Sequence, residues 1–154
     1  MGHSFRLAAF IAIISASAVQ ADIRPLSGTW QGASQLTGQS GCPPDLTSAA
    51  PTSGGYAPRY IAFPDVFDGA AIAGDFTWVR VAENHWRAQD TQSRSTPLGA
   101  LRISFEHDLY VESETNMRQL SSLTARFPAA MVQMIGGASQ CTMTSRVDHA
   151  RVGD

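Results

Sequence analysis

Glu106-His107-Asp108 sets an imidazole between two carboxylates, the residue types from which acid–base and nucleophile-activating sites are made. Sequence neighbours on a turn point in different directions, so these three read as a solvated hairpin tip rather than a triad. Glu112 and Glu114 would lie ~7 Å apart on one strand face, near a glycosidase separation, but they alternate with the expected core face. Gly38-Gln39-Ser40-Gly41-Cys42 lacks the Gly-x-Ser-x-Gly elbow of a nucleophilic serine. His85, His107 and His149 show none of the i, i+2 or i, i+4 spacings that bring metal ligands together on one element. Asp65-Val66-Phe67-Asp68-Gly69 lacks the alternating acidic positions of a calcium loop and reads as a turn. Every basic residue is Arg, which removes Schiff-base chemistry and any lysine-dependent mechanism. These residues therefore point to no catalytic set, no metal and no cofactor. A hydrolase using Glu106, His107 or Asp108 with residues from elsewhere is the alternative.

Compartment is easier to read. Met1 to Arg6 is weakly positive, Leu7 to Ile14 is apolar, and Ser15 to Ala21 is mostly small, ending Val19-Gln20-Ala21. That order is the layout of a secretory signal peptide, with cleavage expected after Ala21, or after Ala18 as second choice. The apolar run is well short of the ~20 residues that cross a bilayer. The 154 residues less 21 leave one exported domain of 133, Asp22 to Asp154, periplasmic or secreted, with no membrane span in the mature chain. It carries 10 basic and 13 acidic residues, a net charge of −3, a poor balance for holding nucleic acid. Cys42 and Cys141, an even pair in an exported chain, read as a disulfide.

The elements around these residues are strands. Leu101, Ile103 and Phe105 alternate with Arg102, Ser104 and Glu106, and Leu109 and Val111 alternate with Tyr110 and Glu112. Facing both apolar sets to one core by a hairpin requires a three-residue loop at Glu106-His107-Asp108. A hairpin about Glu83-Asn84 carries Trp78 and Trp86. The preferred register places Trp86 with Val79 and Val81, and leaves Trp78 beside Arg80 and Arg87 on an outward aromatic and arginine surface. The other register turns Arg80 inward, where it needs a partner. Trp30 to Leu36 opens the sheet, Gly38 to Gly55 reads as loop with a helical turn after Pro43-Pro44, and Tyr56 to Phe63 is an edge strand. Pro128 to Gly137 is the best helix signal, and Gln140 to Val152 is the last strand. The fold class is mainly β: an antiparallel meander closing as a small barrel or a two-layer sandwich, with one short helix before the last strand.

Gly28-Thr29-Trp30 resembles the Gly-x-Trp signature of the calycin group, which includes lipocalins, the avidin type and small periplasmic protease inhibitors. The resemblance covers Leu26 to Trp30. It implies an up-and-down barrel of about eight strands with a ligand cavity or a plugged interior. Trp30 would then plug one end against a late arginine, Arg146 or Arg151. The expected function is non-catalytic binding: a small apolar ligand beside Trp30, or an envelope protein on the face bearing Trp78, Arg80 and Arg87, with Trp86 behind. A structural or protease-inhibitor-like domain working through the Gly38–Gly55 loop is a third expectation.

Overall fold

The computed structural model describes residues 22–44 and 53–154. The expected signal peptide and the helical turn after Pro43-Pro44 lie outside them. The chain forms β1 (Gly28–Ser40), β2 (Ser53–Gly55), β3 (Arg59–Ile61), a 3-10 turn (Gly69–Ala71), β4 (Trp78–Ala82) and β5 (His85–Thr96). β6 (Gly99–Ser113), β7 (Asn116–Arg126), helix α1 (Ala129–Ile135) and β8 (Gln140–Gly153) complete it. One antiparallel sheet runs in the order β2-β1-β8-β7-β6-β5-β4, with β3 also pairing with β1. The ladder does not close: β4 forms one edge and β2 with β3 the other. The fold is thus mainly β, with its short helix before the last strand, and the meander is not a hydrogen-bonded barrel.

The loop expected at Glu106-His107-Asp108 is absent. β6 passes straight through it, and Phe105 pairs with Leu123 and Leu109 with Gln119 on β7 rather than with each other. Residues 101, 103, 105, 107, 109 and 111 share one parity, so an unbroken strand already turns both apolar sets to one face. The hairpin turns lie instead at Pro97-Leu98 and Glu114-Thr115, each joining strands whose last pairs are Thr96–Gly99 and Ser113–Asn116. Gly99 has φ 118°, and a Cβ there would sit 2.8 Å from the Pro128 ring, so only glycine fits this corner.

The β4–β5 register also differs from the preferred one. Trp78 lies opposite Ala88 and Arg80 opposite Trp86, which puts Trp78, Arg80 and Trp86 on one face. The two-residue turn at Glu83-Asn84 is present, with Asn84 at φ 55°, but a bulge between Arg80 and Ala82 adds one residue and reverses the parity. Although its position shares the face of Trp86, Arg80 stays exposed and pairs with Asp22, whose two oxygens lie 2.5 and 2.9 Å from Nε and Nη2. That guanidinium holds the Asp22 carboxyl below its ordinary range, against the opposing effect of burial. β1 runs on to Ser40, so the first part of the expected Gly38–Gly55 loop is strand.

The core is one end of the inner sheet face together with the segment that crosses it after β3. Trp30 packs on Phe63 at 5.6 Å between ring centroids, Phe63 on Phe67 at 5.5 Å, and Phe67 on Trp86 at 4.7 Å. Leu109, Val111 and Met117 lie beneath this aromatic row, fully buried. Aromatic residues from β1 and from β5, four strands apart, thereby meet on one covering segment. Helix α1 begins after Pro128 and stops at Gly136, as the sequence predicts, but buries none of its residues. It is a crossing between β7 and β8 rather than a layer. Cys42 and Cys141 form the disulfide that joins the end of β1 to the start of β8.

Candidate functional site

Beyond the covered core, the inner face opens into a cavity of about 750 Å³. The strand registers arrange its wall in cross-strand rows. Gly32 and His149 line it in the row nearest the core, where their neighbours Met117 and Val111 belong to the core itself, followed by Gln119 and Val147. The next row is His107, Ser121, Ser145 and Leu36, and beyond it come Phe105, Leu123 and Met143. Tyr56, Arg59 and Ile72 wall the cavity from the side of β3 and the covering segment. Gly32 is a close approach: a Cβ there would stand 2.7 Å from the Tyr56 ring and 3.3 Å from His149 Nδ1.

Most of these positions are apolar, and the polar ones interlock. Ser121 Oγ is 2.8 Å from His107 Nδ1, and the Gln119 amide nitrogen donates to Ser121 Oγ at 3.1 Å and approaches His107 Nδ1 at 3.3 Å. Phe76 lies over the His107 ring at 4.4 Å. The Nε2 atoms of His107 and His149 are both buried without a hydrogen-bond partner. Burial lowers the pKa of His107, and burial together with the Arg59 charge lowers that of His149 to about 4, with Asp148 opposing in part. Both imidazoles are therefore neutral at pH 7.

Ser121 and His107 have the residue types of a nucleophile and its base, but among the described residues no Asp or Glu lines the cavity to orient the ring or to stabilise an imidazolium. Their arrangement offers hydrogen bonds rather than a proton relay. Among the described residues no group of three or more His, Cys, Asp or Glu could hold a metal ion.

The sequence-derived candidates fall in several places. Trp30 lines the cavity and donates its indole N–H to Leu26 O at 3.0 Å. Arg151 is its neighbour across the β1–β8 ladder and donates to Ser27 O, whereas Arg146 pairs with Asp148. Trp86 belongs to the core. The proposed Trp78, Arg80 and Arg87 surface does not exist as one face. Trp78 packs over Gly69 and donates to Ala73 O, Arg80 is held by Asp22, and Arg87 points to the opposite side of β5. There Arg87 meets Asp108 at 2.8 Å and Glu106 at 3.8 Å.

The Glu106, His107 and Asp108 set is split by strand alternation. His107 faces the cavity, while Asp108 faces outward and binds His85 Nε2 at 2.6 Å. Glu112 pairs with Arg118, Glu114 lies in the β6–β7 turn, and Asp68 accepts the Ala70 N–H at the start of the 3-10 turn. The sequence names His107 and His149 only as hydrolase or metal candidates and gives no sign that they gather with Gln119 and Ser121, although each of the four occupies a core-parity position where an apolar residue is expected. Comparison of the chain with protein-family models, with characterised proteins and with solved structures returned no match.

Proposed function

We propose that this is an exported, non-catalytic binding protein that holds one small, largely apolar molecule in the cavity on the inner sheet face. The cavity carries the reading. Its volume, about 750 Å³, lies within the ~300–1,000 Å³ typical of small-molecule sites, and its walls are mainly apolar with a few convergent polar atoms. Export rests on the leader-like first 21 residues and is supported by the Cys42–Cys141 disulfide. Under this reading, the likeness of Gly28-Thr29-Trp30 to calycins reflects a tryptophan seated at one end of a ligand site.

Trp30 lies on the cavity wall, so its emission reports occupancy. Addition of an apolar ligand from a lipid panel is expected to shift Trp emission, and Ser145→Phe, which narrows the cavity at its middle row, is expected to weaken the shift. Native mass spectrometry of protein taken from its own cell envelope gives the ligand mass. An unchanged spectrum across the panel together with a clean apo mass would sink the proposal.

A further inference from the structure

We infer that the cavity takes an amphiphile with one anionic head group, whose charge is met by Arg59 while its apolar tail lies along Phe105, Leu123 and Met143. The inference rests on the binding reading above and names the class of ligand.

Among the described residues, Arg59 is the only lining residue with a full charge at pH 7, and none that lines the cavity is a carboxylate. Arg24, Arg80, Arg87, Arg118, Arg146 and Arg151 each pair with an Asp or Glu; Arg59, Arg94, Arg102 and Arg126 form no ion pair among the described residues, and of these four Arg59 alone lines the cavity. The mature chain as a whole is acidic, so a positive cavity is not a by-product of its composition. Arg59 is positioned rather than loose: β3 pairs it with Trp30, and Nη2 donates to Ile72 O at 2.5 Å. A guanidinium has five N–H donors, so most of the fork is left for a planar anion. Arg59 is exposed as well as lining the cavity, which places the charged end at an entrance.

The wall changes character away from Arg59. His149 is in the row nearest the core and Met143 is six residues along the same strand, a span of roughly 20 Å at strand rise. The polar His107, Ser121 and Ser145 row lies between them, and the far row of Phe105, Leu123 and Met143 has no polar side chain. A cation at one end and an apolar row at the other fit a head and a tail.

Isothermal titration of the mature, disulfide-bonded protein with dodecanoate and with dodecanol separates head from tail. Dodecanoate is expected to bind roughly 10- to 100-fold more tightly, the range of a charge-assisted hydrogen bond. Arg59→Gln should bring dodecanoate down to the affinity of dodecanol and leave dodecanol unchanged, which also shows that the variant is folded. Arg59→Lys should keep most of the preference. Equal binding of the two by the unaltered protein overturns the anionic head and leaves the cavity reading standing. A preference that survives Arg59→Gln overturns the role of Arg59. Binding of neither ligand overturns the tail site, and with a clean apo mass the cavity reading falls too.

Discussion

At the scale of single residues, the buried histidines tie the cavity to pH. His149 has a pKa of about 4 in the folded protein, against 6.5 when exposed. The unfolded chain therefore takes up a proton, as pH falls through 6.5, that the folded protein refuses until about 4. The contribution of the neutral ring to stability is complete above pH 6.5 and is lost between there and pH 4. A gap of this size corresponds to roughly 3 kcal/mol, and His107 acts in the same direction. The urea midpoint should fall across this window, and the fall should be shallower in His149→Gln. An identical pH profile in that variant would show that another group controls acid unfolding. The sequence marks His107 as a hydrolase candidate and weighs both histidines as metal ligands, but it does not mark either as a cavity residue. Sequence neighbours do not reveal this, because the surroundings come from segments that meet each ring only in the fold: Gly32 and Met117 for His149, Phe76 and Ser121 for His107.

At the scale of elements, parity was the informative signal and turn placement was not. Alternation along Leu101 to Val111 identified the strand and its inner face, but the same alternation is satisfied by a hairpin and by one long strand. The choice between them is made by pairing with β5 and β7, which a single strand does not encode. On the β4–β5 hairpin, a single bulge reversed the face of Trp78 and Arg80, and the deciding contact came from Asp22, far away in sequence. The helix, its proline start and its glycine stop were legible because those signals are local.

The long β6–β7 pairing also contains a visible conflict. Arg102 and Arg126 are direct cross-strand neighbours, both exposed, and neither forms an ion pair among the described residues. Like charges in that position destabilise a sheet, and an opposite pair contributes ~0.2–1 kcal/mol. Arg126→Glu should therefore raise the urea midpoint at low salt with an unchanged slope, and the gain should shrink as salt is added. A lowered midpoint at low salt would mean that Arg126 has a stabilising partner.

At the scale of the molecule, the open sheet is built around a pairing of its chain ends. β1 and β8, the first and last strands, pair along almost their whole length, from Thr29–Gly153 to Ser40–Thr142. Bringing these ends together orders most of the chain at once, and the disulfide sits where that ladder stops. It spans 99 residues, so the chain-entropy model gives it up to ~4.7 kcal/mol, and removing native disulfides typically costs ~2–5 kcal/mol. Cys141 is buried and lies two residues from Met143, at the apolar end of the cavity. The bond acts on the unfolded chain while the ladder itself is held by hydrogen bonds, so its loss should lower stability without rearranging the sheet. Cys42→Ala with Cys141→Ala should show strand content and Trp emission like those of the oxidised protein at 25 °C, but a denaturation midpoint lower by an amount equivalent to about 2–5 kcal/mol. The same shift should follow reduction of the unaltered protein. An unchanged midpoint would mean that the β1–β8 ladder alone fixes the chain ends; altered emission before unfolding would mean that the bond shapes the cavity directly.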